Sequence, residues 1–171
     1  MIIIYACFSG THAAVIAAAL HAGFLNPGRP PAWEELKKLP HFDAPEGEGG
    51  MRQIGHTPAG HAVYTAAVGH DGEAARRAIK TFLAALGRDQ REVLWIDVSH
   101  RVSFLWRVGA FCRRYPRLAW LGRLLLQWSL GQDYPVLVNL VKKARQQELH
   151  DVKSGSQNLY PGVKQGLQAK T

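Results

Sequence analysis

A chain of 171 residues, 47% hydrophobic and 20% charged, has the size and composition of one globular domain able to bury a core. No apolar run reaches the roughly 18 residues that cross a membrane, and the two cysteines, Cys7 and Cys112, are too few for a disulfide framework. The formal net charge of +8 points to acidic partners such as phosphates, nucleic acid or anionic lipid.

Ile2 to Cys7 is a short apolar run rich in β-branched residues, the pattern of a strand buried on both faces. It starts at once after Met1, with no basic stretch ahead of it, so no signal peptide is expected and the expected location is cytoplasmic. Phe8-Ser9-Gly10-Thr11 forms a tight turn, and a helix of small apolar residues follows from about His12 to Ala22, closed by Gly23. From Leu25 to Gly60 the chain is dense in proline and glycine; one short helix, 32–39, is expected there, and the rest reads as a long loop. Ala62 to Val68 is a second buried strand.

Asp71 caps the next helix and Gly87 closes it, with Ala75, Ala78, Ile79, Phe82, Leu83 and Leu86 at helical spacing. Glu92 to Val98 is a third strand, apolar until Asp97. After Ser103 the pattern is helical to about Leu149, read as three helices broken at Tyr115-Pro116 and at Gly131 to Pro135, with Pro135 in the first turn of the last. A single domain over 1–149 and a flexible tail over 150–171 are expected. Strands alternating with helices predict an α/β fold: a small three-layer sandwich on a mostly parallel sheet, Rossmann-like or P-loop-like, with a helical C-terminal third.

Cys7 falls at the carboxyl end of the first strand, where open α/β sheets place ligands. Unpaired N–H groups and the helix dipole favour phosphate or carboxylate at the loop that follows. Gly10 lets a ligand approach the backbone, Ser9 and Thr11 supply hydroxyls, and His12 can donate or move a proton. A bulky residue at Gly10 is therefore expected to abolish binding with the fold intact. The same residues also suit a plain connection, since every βα unit needs a turn and a cap.

Gly10-Thr11-His12 lacks the lysine of a Walker A loop, and Ala13 stands where a cysteine phosphatase loop has its arginine. The spacing of Cys7 and Gly10 resembles the cysteine loop of the IIB components of sugar phosphotransferase systems, which implies phosphocysteine-like chemistry at a thiol whose pKa a helix N-terminus would lower.

Val93-Leu94-Trp95-Ile96-Asp97 has the form of a Walker B strand whose aspartate helps hold Mg²⁺, with a capped turn as the alternative. In a parallel sheet Asp97 would come near Gly10 and Thr11, with Ser99 and His100 on the same rim. Between Asp97 and Asp133 there is no acidic residue, while Arg101, Arg107, Arg113, Arg114, Arg117 and Arg123 fall among aromatics. Such a segment is a solvated helical face, a stacking surface for nucleic acid, a membrane-surface face, or the source of one arginine for the anion at the first loop. His56 and His61 flank a turn and make no recognisable metal motif, although folding could gather them with His12 and Cys7.

Three blocks, Ile3 to His12 with Leu20 to Gly23, Gly60 to Tyr64, and Val108 to Arg114 running on to Tyr134-Pro135, resemble a domain-of-unknown-function family of short proteins from spore-forming Gram-positive bacteria, the Firmicutes. The similarity spans about residues 1–145. Ser9-Gly10 replaces paired glycines, and Ala13-Ala14 replaces hydroxyl residues, so a ligand held by those groups in relatives would bind more weakly here. The resemblance brings no activity; it groups the first loop with the arginine block.

Together these residues favour binding of a phosphate-containing ligand or other anion at loop 8–12, using Ser9, Gly10, Thr11, His12 and one of Arg113, Arg114 or Arg123. Mg²⁺ with a nucleotide is a possible cofactor. Cys7, His12 and Asp97 are the candidates for any catalytic role. A regulatory domain acting through the Arg/Trp helices 101–128 is the alternative from another class.

Overall fold

The computed structural model describes residues 1–44, 50–113 and 115–159, with side chains in the last helix described as far as Val152. In chain order the elements are β1 (Ile2–Cys7), α1 (Ala13–Ala22), α2 (Trp33–Lys37), β2 (Met51–His56), β3 (Ala62–Ala67), α3 (Gly72–Ala85), β4 (Val93–Asp97), α4 (Phe104–Arg113) and α5 (Ala119–Leu159). The strands form one sheet in the order β2-β3-β1-β4, in which β1 runs parallel to both neighbours and β2 is antiparallel to β3. The fold is α/β on a mixed, mostly parallel sheet.

Alternate residues of β1 face opposite ways. Ile3, Tyr5 and Cys7 join α1, α5, Val63, Leu94 and Ile96 in the main core, whereas Ile4 and Ala6 form a smaller cluster with Ala66, flanked by Ile79 of α3. The connections from β1 to β3 and from β3 to β4 run in opposite directions across the sheet, so right-handed crossovers send α1 and α3 to opposite faces. The smaller cluster leaves α3 lightly held. None of its described side chains is buried, and Phe82 is 65% exposed.

Three expectations need correction. The stretch read as loop contains β2, an exposed edge strand whose alternation is broken by a bulge between Gln53 and Gly55. A Cβ at Gly55 would come 2.8 Å from the tip of the exposed Phe24 ring, which would have to shift. The break at Gly131 to Pro135 does not occur: α5 is continuous through Pro135. Tertiary contacts hold the two residues just before the missing N–H. Asp133 accepts from the Ser103 amide (3.0 Å) and hydroxyl (2.8 Å), and the Tyr134 hydroxyl donates to the Asn26 carbonyl (2.6 Å). The helix also runs on past His150, where the tail was expected, to Leu159; residues 160–171 lie outside the described residues. The break at Tyr115-Pro116 is real, as a 3₁₀ turn over Pro116–Leu118.

At that turn α4 folds back on α5 with backbones nearly touching. A Cβ on Gly122 would sit 2.7 Å from the Gly109 carbonyl oxygen. No helix of the described residues is long and apolar enough to cross a membrane.

Candidate functional site

The parallel register sets Asp97 beside Ala6, bringing the carboxyl ends of β1, β3 and β4 to one edge. A cleft of about 540 Å³ opens there between the three following loops and α4. Cys7, Phe8, Ser9 and Ala13 line it from the first loop, Gly69 to Glu73 from the second, and Asp97 to His100 from the third. Helix α4 supplies the outer wall: Phe104 and Phe111, a turn pair apart and largely exposed, with Arg107 between them. The cleft is thus aromatic on one side and polar at its floor, the combination found in small-molecule sites.

Gly10 holds the floor in shape. Its φ is +70°, and a Cβ would stand 3.0 Å from the Ala67 backbone nitrogen and 3.2 Å from the Ala66 carbonyl carbon. Packing against β3, and not room for a ligand, requires glycine here, so a bulky residue would disrupt the fold and the expected separation of binding from folding fails. The Gly10 amide donates to Cys7 Sγ at 3.1 Å.

Burial pushes the Cys7 thiol up, and the amides of Gly10, Ala14 and Ser9 only partly offset it. The expected lowering by the helix N-terminus is therefore overturned: desolvation of the thiolate outweighs the nearby N–H groups. Alkylation by iodoacetamide at neutral pH should label native Cys7 more slowly than free cysteine, and faster labelling would restore a nucleophilic thiol.

The hydroxyls of the loop bond among themselves. Thr11 Oγ1 lies 3.1 Å from Ser9 Oγ and 3.1 Å from His12 Nδ1, with Thr11 and His12 both buried. His12 Nε2 donates to Asp43 (3.1 Å), which also binds Arg113. Of the predicted loop residues, Ser9 alone faces the cleft; Gly10, Thr11 and His12 lie behind it. Arg113 is brought to the loop from its far side through Asp43, Arg123 sits over the Trp33 ring at 5.4 Å, and Arg114 lies outside the described residues.

Asp97 does cap a turn, accepting the Ser99 amide at 2.8 Å, while its second oxygen lies toward Gly72 at the start of α3. His12, His56, His61 and Cys7 do not gather: His12 meets Asp43, His56 meets Gln53, and His61 meets Glu148. Among the described residues no group of three or more His, Cys, Asp or Glu is arranged for a metal ion.

Two acidic residues belong to no motif in the sequence. Asp43 lies in an aperiodic loop. Glu148 sits on the seam of α5, where it accepts from His21 Nε2 (2.9 Å), His61 Nδ1 (2.6 Å) and the Thr57 hydroxyl (3.2 Å), while His21 Nδ1 meets the Tyr5 hydroxyl at 2.7 Å. This buried network ties α5 to α1 and to the β2–β3 turn, at the edge of the sheet away from the cleft.

No curated protein and no solved structure matches the chain. The family model described as a protein of unknown function, DUF3189, matches residues 2–146, from β1 through the cleft and most of α5. The chain belongs to the DUF3189 family.

Proposed function

We propose that the protein binds a phosphate-bearing small molecule of nucleotide size in the cleft at the carboxyl ends of β1, β3 and β4. The observation that carries this reading is the position of a 540 Å³ cleft directly over the loop between the first strand and first helix, where parallel α/β sheets accommodate ligands. The cap residue His12 gives α1 no side-chain cap, and with the Ala14 amide turned to Cys7 the Ala13 amide and the rotatable Ser9 hydroxyl are the donors for the phosphate. Arg107 on the rim adds charge, and the Phe104–Phe111 wall takes the apolar or aromatic body of the ligand.

Asp71, Glu73 and Asp97 also line the cleft. Carboxylates beside a phosphate suit Mg²⁺, which is held by one or two carboxylates together with the ligand's own oxygens. Such a site needs no cluster of three protein ligands. A Rossmann-like, three-layer arrangement and a cytoplasmic setting fit this reading.

Arg107→Glu tests it, since the residue is exposed and its loss leaves the core untouched. Isothermal titration with nucleotides and sugar phosphates, with and without Mg²⁺, should show affinity reduced about tenfold or more in the variant, as for a lost charge-assisted contact. Unchanged affinity would place the ligand elsewhere.

A second reading rests on a different surface. Trp120, Leu124 and Trp128 form an exposed stripe at one face of α5 within the segment that has no acidic residue, which suits a regulatory contact with an acidic macromolecular surface. Binding that Trp128→Ala abolishes and Arg107→Glu spares would favour it.

A further inference from the structure

Behind the first loop, two residues that the sequence marks for anion binding already hold an anion, and it belongs to the protein. Asp43 Oδ1 accepts from His12 Nε2 (3.1 Å) and Arg113 Nε (3.0 Å), while Arg113 Nη2 donates to Oδ2. A guanidinium fork gripping both oxygens, with an imidazole N–H beside it, is the arrangement that proteins use for carboxylate and phosphate alike.

Three observations make this carboxylate exchangeable. Asp43 and Arg113 keep 24% and 23% of their side chains exposed, so solvent and solutes reach the pair. Asp43 has a φ of 59° and His41 of 60°, a left-handed backbone uncommon outside glycine. The segment is pinned independently by Phe42, whose ring meets His12 and Trp33 edge-on, each at 5.5 Å. Asp43 can therefore turn away without the segment leaving.

Burial and the neighbouring Arg123 both push the Arg113 guanidinium down. Among the described residues Asp43 is the carboxylate paired with Arg113, while Glu34, the acid that feels Arg123, is paired with Lys37 at 2.8 Å.

We infer that Asp43 is an internal stand-in for an external oxyanion: the His12–Arg113 fork is a phosphate site, and Asp43 rotates out when phosphate enters. This goes beyond the cleft reading and stands without it, since the fork lies on the far side of the loop.

The test is calorimetric titration of the full chain with inorganic phosphate. Asp43→Ala should bind phosphate about tenfold tighter than the unaltered protein, because the competing carboxylate is gone. Asp43→Ala/Arg113→Gln should lose that gain, and Arg107→Glu should leave it intact. Affinity in Asp43→Ala no higher than in the unaltered protein, or a gain that survives Arg113→Gln, overturns the proposal. Should Asp43→Ala fail to fold, the unaltered protein decides: phosphate must shift the Arg113 Nε–H resonance, and a resonance that stays in place overturns the proposal equally.

Discussion

Gly10→Ala is expected to lose about 2–5 kcal/mol of folding stability, the sum of a left-handed conformation forced on alanine (roughly 1–2 kcal/mol) and overpacking (roughly 1–3 kcal/mol). The second contribution arises because the new methyl would meet the β3 backbone at Ala67, 3.0 Å away, where no side chain can give way. Gly23 supplies the internal comparison. Its φ is +83° but nothing lies within 4 Å of its would-be Cβ, so Gly23→Ala carries the conformational cost alone, about 1–2 kcal/mol. Urea denaturation of the two variants separates the effects. Equal losses would mean that the loop does not press against β3 as described. The total matters because domains of this kind are stable by only about 5–15 kcal/mol.

Glu148→Ala is expected to cost about 3–5 kcal/mol, as expected when one partner of a buried charged network is removed. Its carboxylate accepts from two imidazoles and a hydroxyl, and alanine would leave His21, which has no exposed surface, without its acceptor. The same network predicts acid lability. Burial pushes His21 down from 6.5, outweighing the carboxylate that would raise it. Burial would push Glu148 up, but the His61, His21 and Thr57 hydrogen bonds together hold it below 4.5. Both groups are depressed in the folded protein, so both contribute stability above their unfolded values that is lost as pH falls. The loss begins below about pH 6.5 with His21 and continues below about 4.5 with Glu148. Chemical denaturation midpoints measured from pH 7.5 to 4 should fall steadily in the unaltered protein, and the part below 4.5 should shrink in Glu148→Gln. A flat profile would contradict the assignment.

Much of the fold is legible in local patterns. β1, β3 and β4 are apolar runs long enough to be buried strands, and Asp71 caps α3 through the Ala74 amide as its position suggests. What escapes a local reading depends on partners. In β2 only Ile54 is buried and glycine interrupts the alternation, so pairing with β3 makes it a strand. Proline at 135 argues for a helix break, but the buried positions Leu126, Leu130, Asp133, Leu137, Val141, Ala144 and Glu148 keep helical spacing straight across it. That unbroken stripe was present in the sequence and outweighs the cost of one proline.

The site divides in the same way. Parallel pairing carries Asp97, Ser99 and His100 to the rim beside Cys7 and Ser9. Which arginine faces the cleft depends on how α4 crosses α5, and the Gly109–Gly122 contact that sets this crossing is visible only once both helices are packed. It leaves Arg107 on the cleft, Arg113 behind the loop on Asp43, and Arg123 on Trp33. Asp43 has neither motif nor periodicity to announce it, only its charge opposite an arginine-rich segment.

Binding of a phosphate-bearing small molecule in the cleft above Ser9 would stabilise the fold. Its most direct test is a thermal-shift screen of the protein against phosphate, nucleotides, sugar phosphates and acidic metabolites, each with and without Mg²⁺. A ligand at about a hundred times its dissociation constant stabilises the fold by roughly 2.7 kcal/mol, a rise of a few degrees. Such a rise is expected with a phosphate-bearing compound, as is its reduction in Arg107→Glu. No rise with any compound, or a rise that Arg107→Glu leaves unchanged, would contradict it.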